Sequence, residues 1–199
     1  MKTRAFAIAL ASATLLTVTA CNKAGDNGNG AQSAQTPKAE KAAGDKTIAA
    51  GLAPGSKFVA AAKAAGLDQT LAGPGPYTVF VPDDSAFDQA GGLDTSPGNR
   101  AQLTGVLTNL ILPGTVLSDD IGKTIDKGKG KAVLATMGGG TLTATKDGGK
   151  IVLTDAAGHK ATVTQADEKY SNGVVHHVDA LLMPAKGAAE KPAVGDKAG

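Results

Sequence analysis

The sequence predicts an α+β domain, and three features predict it. Apolar residues recur at helical spacing in the first half, most clearly at Leu103, Val106, Leu107, Leu110 and Ile111. The last third changes period to short Thr- and Val-rich runs between glycine turns, the spacing of a meander or sandwich of antiparallel strands. Ahead of both lies Tyr77-Thr-Val-Phe-Val-Pro82, whose aromatic and β-branched residues read as a strand with at least one buried face.

The start of the chain stands apart from this fold. Lys2 and Arg4 form a basic head, an apolar run with small residues follows, and Cys21 stands directly after Val18-Thr19-Ala20. The run is too short, and too soon followed by polar residues, for a spanning helix of about 20 apolar residues. Residues 1–20 resemble a bacterial lipoprotein signal, which implies that Cys21 becomes the lipidated first residue of the mature chain; an ordinary secretory signal is the alternative. Cys21 is the only cysteine, so no internal disulfide can form. By resemblance to lipoprotein sorting, Asn22 directs the protein to the outer membrane. Residues 21–45 are Gly, Asn, Ala, Gln, Ser and Lys with almost nothing large and apolar, a flexible tether with a reach of roughly 25 to 30 Å.

Helix signals begin after the tether. Residues 47–52 read as a short helical start broken by Pro54-Gly55, and Ser56 caps a second helix carrying Phe58, Val59, Ala62 and Ala65. Gly66-Leu67 fits a left-handed stop. After the strand, Asp83 stands at an N-cap, Asp84 lies in the first turn, and Pro82 and Phe87 occupy the positions of a hydrophobic staple. Pro97 suits the first position of the next helix, which Pro113-Gly114 ends. Strands are expected at 131–136, 141–145, 150–154 and 160–164, and a closing strand at 174–183 stopped by Pro184. Residues 185–199 return to Ala, Gly, Lys and Pro and read as a disordered tail.

Two segments carry a family resemblance. Thr78-Val-Phe80-Val-Pro82, followed by Asp83 and then Ala86-Phe87, resembles the first signature of the fasciclin domain, an extracellular interaction module. Asn172-Gly173-Val-Val-His176-His-Val-Asp179-Ala-Leu-Leu-Met-Pro184 is similar to the closing segment of that family. Residues 58–67 resemble its opening helix, so the likeness covers residues 46–184. It implies a fasciclin-like fold, with helices of the N-terminal half packed on an antiparallel β-sandwich. It also implies structural roles for the motif residues and a binding or adhesive function at the cell envelope. The family carries a Tyr-His pair shortly before the Pro-Gly, often implicated in adhesion; here Asn109 and Leu110 take those places, so its chemistry does not transfer.

Charge and side-chain chemistry narrow the function further. The chain has 20 Lys and Arg against 18 Asp and Glu, and loss of Lys2 and Arg4 leaves 18 against 18. Arg100 is then the only arginine, and no basic stripe with interleaved aromatics exists, which excludes a nucleic-acid binder. His176 and His177 are adjacent on a strand and face opposite ways, so a metal site would need His159 with Asp155 or Asp179; none is expected. A triad of Ser85, His176 and Asp179 lacks a Gly-flanked elbow and an oxyanion loop. Met137-Gly-Gly-Gly140 lacks the Lys-Ser/Thr of a phosphate loop. His176 is expected to be partly buried and hydrogen-bonded, and Asp179 to hold the closing strand. The reading is a non-enzymatic, cofactor-free module, anchored to the membrane by lipid, that binds an extracellular protein or polysaccharide. A periplasmic protein binding a small apolar ligand or a partner is the alternative, which an apolar pocket between helices and sheet would favour.

Overall fold

The structure, a computed structural model, describes residues 44–91 and 93–184. Cys21, the signal segment, the tether up to residue 43 and the tail from 185 lie outside the described residues. Three short helices come first: α1 (Ile48–Gly51), α2 (Lys57–Ala65) and α3 (Asp68–Ala72). Ser56 accepts from the Val59 N–H to start α2, and Gly66, at φ 76°, ends it in the left-handed region open to glycine. Strand β1 (Tyr77–Pro82) leads into α4 (Asp84–Gln89), and a 3-10 turn at Pro97–Asn99 leads into α5 (Arg100–Asn109). Then follow β2 (Ile111–Pro113), α6 (Ser118–Lys127), β3 (Lys131–Ala135), β4 (Thr141–Asp147), β5 (Lys150–Thr154), β6 (Lys160–Tyr170) and β7 (Gly173–Val178).

The seven strands form one sheet in the order β2-β1-β7-β6-β5-β4-β3. The sheet is mixed: β1 and β7 run parallel, Thr78 beside Val174 and Phe80 beside His176, while every other pair is antiparallel. This corrects the wholly antiparallel sandwich expected from the turn spacing. Turn spacing reports only neighbours joined by hairpins, and β1 meets β7 across most of the domain. Beyond β3 the chain returns to the far edge, where the Met137 N–H donates to the Ile111 carbonyl at 2.8 Å. Side chains from helices and sheet share one buried cluster that includes Phe58, Phe80, Phe87, Leu107 and Leu182.

Several boundaries differ from expectation. Ile111 continues the helical period of Leu103, yet it opens β2 because Pro113 and the edge of β1 capture the chain one residue after Leu110. Strand β6 runs on to Tyr170 with register shifts at 163/165 and 165/168, where Asp167 takes φ 63°. Strand β7 stops at Val178, so Asp179 to Pro184 lie beyond the sheet. Helices α3 and α6 carry too few apolar positions to stand out in the sequence; α6 buries only Ile121, Gly122 and Ile125.

Candidate functional site

The two signature segments meet along the β1–β7 seam, where Thr78, Asn172 and His176 turn inward. Thr78 is fully buried; its Oγ1 donates to the Gly114 carbonyl and accepts from the Val116 N–H, each at 2.8 Å. His176, also fully buried, lies beside Phe80 with ring centroids 5.4 Å apart. Its Nε2–H donates to the Val116 carbonyl at 2.9 Å, and its Nδ1 accepts from the Asp167 N–H at 3.2 Å. One loop residue, Val116, is thus held by both signature segments. Burial pushes the His176 ring below its ordinary imidazole value, and the bond to Val116 and the Asp167 carboxylate oppose that without reversing it.

Asn172 ties the helices to the sheet. Its Oδ1 accepts from the Ile48 N–H, and its Nδ2 donates to the Leu71 and Gly73 carbonyls, all at 2.8 Å. Gly173 follows because a Cβ there would stand 2.1 Å from the Tyr77 carbonyl oxygen. Asp179 is exposed, but its Oδ1 accepts from the Thr162 N–H at 2.6 Å and holds the end of β7 to β6. Pro82 and Phe87 are buried. Asp83 stands at the N-cap of α4, yet its carboxylate makes no capping bond, which corrects the expected role. The neighbouring Asp84 instead accepts from the Lys57 N–H at 2.8 Å, joining α4 to the start of α2.

The structure does not assemble the imagined triad. Ser85 is exposed on α4, both His176 nitrogens are occupied by backbone groups, and Asp179 is engaged with Thr162. Asp155 and His159 do meet at 2.8 Å, but among the described residues no three His, Cys, Asp or Glu side chains gather closely enough to hold a metal ion. Asn109 and Leu110 are buried, so they offer no contact surface.

Beyond the seam, both signature segments run on into one open groove of about 950 Å³. The first contributes Ala86, the second Ala180, Leu181, Met183 and Pro184, and α5 adds Gln102 and Val106. The β5–β6 turn supplies Ala156, Ala157 and His159, and the start of β6 supplies Lys160. Asp155 holds this turn in place. It accepts from the Ala157 and His159 amides at 2.9 Å, and from the Met183 amide and His159 Nδ1–H at 2.8 Å. Burial alone would raise its carboxyl, but the bonds from Met183 and His159 outweigh it and hold the pKa below its ordinary value. Sequence reasoning treated Asp155 only as a metal companion. The signal for its actual role was the Asp-Ala-Ala-Gly-His run, where an Asp closes an Asx-type turn and Gly158 takes φ 92°.

Comparison with known proteins rests on the same segments. The family model for the Fasciclin domain matches residues 54–184. The chain belongs to the fasciclin domain family. Protein sll1483 of Synechocystis is 34% identical over 149 residues, covering 73% of this chain and 72% of that protein. Transforming growth factor-beta-induced protein ig-h3 of Sus scrofa is 30% identical over 139 residues, 69% of this chain but only 18% of that longer protein. Among solved structures, the FAS1 domain pair of the insect cell adhesion molecule Fasciclin I aligns with a TM-score of 0.57 at 17% identity. The alignment covers 73% of this chain and 53% of that one, and it shows a shared fold. In fasciclin terms, the signature residues of this chain are the internal ties of the domain, and the groove is where those segments reach the surface.

Proposed function

We propose that this fasciclin domain is a non-catalytic binding module at the cell envelope, held to the membrane by a lipid on Cys21 and acting in adhesion to an extracellular protein or polysaccharide. The observation that carries the reading is the use of the signature polar groups. Thr78, Asn172 and His176 spend their hydrogen bonds on backbone within the domain, so the polar residues of the signatures hold the fold and are not free to act on a substrate. Two further features support it: a neutral mature chain and a tether long enough to hold the domain off its membrane. Many copies on one surface would let weak single contacts add by avidity. Because Asn109 and Leu110 are buried, the adhesive surface lies elsewhere than at the family pair.

Protease shaving of intact cells tests the display, with a known periplasmic protein as leakage control. Release of peptides from 46–184 while the control stays intact is expected, and loss of attachment in a deletion strain then identifies the adhesin. Peptides appearing only after the outer membrane is breached overturn adhesion. That result leaves the second reading, a periplasmic ligand-binding protein, which the groove beside Pro184 specifically favours.

A further inference from the structure

The groove has a chemistry of its own. Its volume of about 950 Å³ lies at the upper end of sites that take small molecules. Five alanines line it, with Val106, Leu181, Met183 and Pro184, and among the described residues no Phe, Tyr or Trp does. Small aliphatic side chains leave a trough for a slender flexible chain, whereas sugar rings and fused aromatics call for a flat face to stack on. The polar lining is uneven. Gln89 and Gln102 are uncharged amides from the helical side, while Lys160, at the start of β6, and His159, in the turn before it, lie on the other side.

Among the described residues no carboxylate lines the groove to answer Lys160. The nearest acid in the turn, Asp155, is buried, and its oxygens accept four hydrogen bonds from Ala157, His159 and Met183. Asp155 also fixes what the ligand would meet: its bond to the Met183 amide holds one apolar wall against the turn that leads into Lys160. His159 gives Nδ1 to Asp155 and keeps Nε2 without a partner among the described residues. An apolar trough with one ammonium, that of Lys160, on its wall matches a ligand with one aliphatic chain and one anionic end.

We infer that this groove binds a single-chain aliphatic carboxylate, its alkyl chain along the alanine-lined trough and its carboxylate at the Lys160 ammonium. The inference deepens the ligand-binding reading, and a titration of purified protein tests it apart from where the domain is displayed. Isothermal titration calorimetry of the full-length protein with dodecanoate, below its micelle concentration, should give saturable one-to-one binding. Dodecanol, with the same chain and no charge, should bind roughly tenfold more weakly, the loss of one charge-assisted contact. Lys160→Glu, a change at an exposed residue, should weaken dodecanoate by at least that factor and leave dodecanol unchanged. Ala90→Trp, at an exposed position of the trough, should weaken both ligands with an unaltered melting curve. Absence of saturable dodecanoate binding overturns the inference. Equal binding of dodecanoate and dodecanol, or binding that survives Ala90→Trp, overturns it as well, because the ligand is then held without the charge or outside the groove.

Discussion

The β1–β7 seam and the β3–β6 meander belong to one sheet but are built on different terms. In the seam, five of the six residues of β1 and five of the six of β7 are buried, so both faces are covered and side chains of both polarities go inward. In β4 burial alternates, with Leu142 and Ala144 inside and Thr141, Thr143 and Thr145 turned toward solvent. The meander is therefore held by a one-sided apolar row, and the seam by apolar packing together with a polar network that has no water to fall back on. The difference predicts that the domain is brittle at the seam and tolerant on the meander's outer face.

The sharpest way to break that contrast is to truncate the buried aromatics of the seam and of α4, which follows it. Phe80→Ala and Phe87→Ala should each lower stability by about 3 to 5 kcal/mol in chemical denaturation, enough to unfold a marginal domain. A loss under about 1 kcal/mol would remove the seam from the centre of the core. Next comes Asn172→Ala, which strands the Ile48 amide and two carbonyls together and should cost about 2 to 3 kcal/mol. Amide exchange should then speed up in α1 and around Leu71, while the meander keeps its protection.

Acid probes the same region through His176. Its folded pKa lies below the ordinary 6.5, so between those two values the unfolded chain binds a proton that the native ring does not. Stability therefore rises with pH across that window, and it is lost as the solution is acidified below 6.5 toward the folded value. Melting curves from neutral pH to about pH 5 should show the decline, and His176→Gln, though less stable throughout, should show a shallower one. A slope unchanged by the substitution would move the acid sensitivity elsewhere.

Smaller effects sharpen the edges of the comparison. Asp84→Ala should cost about 1 kcal/mol because it removes the acceptor of the Lys57 amide, whereas Asp83→Ala, with no capping bond to lose, should stay within about 0.5 kcal/mol. Val133 is 63% exposed on β3, and Val133→Thr should change the melting temperature by no more than a degree or two, as surface substitutions do.

Local chemistry made much of this legible in the sequence. Ser56 and Gly66 mark the ends of α2 because capping and left-handed stops depend on one or two residues. The turns of the meander were visible for the same reason, and the apolar period of α5 reported its buried face up to Leu110. Tertiary structure decided the rest. The pairing of β1 with β7 and the clamp on Val116 by Thr78 and His176 join residues far apart in the chain. So does the reach of Asp155 to Met183, and no local pattern encodes such meetings. Asp83 and Asp84 show the limit at its narrowest. Both suit a helix start by themselves, and only the position of α2 made Asp84 the one that bonds. The sequence determined which residues turn, stop and go inside; long-range packing determined which of them touch, because a hydrogen bond or a groove wall needs two partners and the chain order names only one.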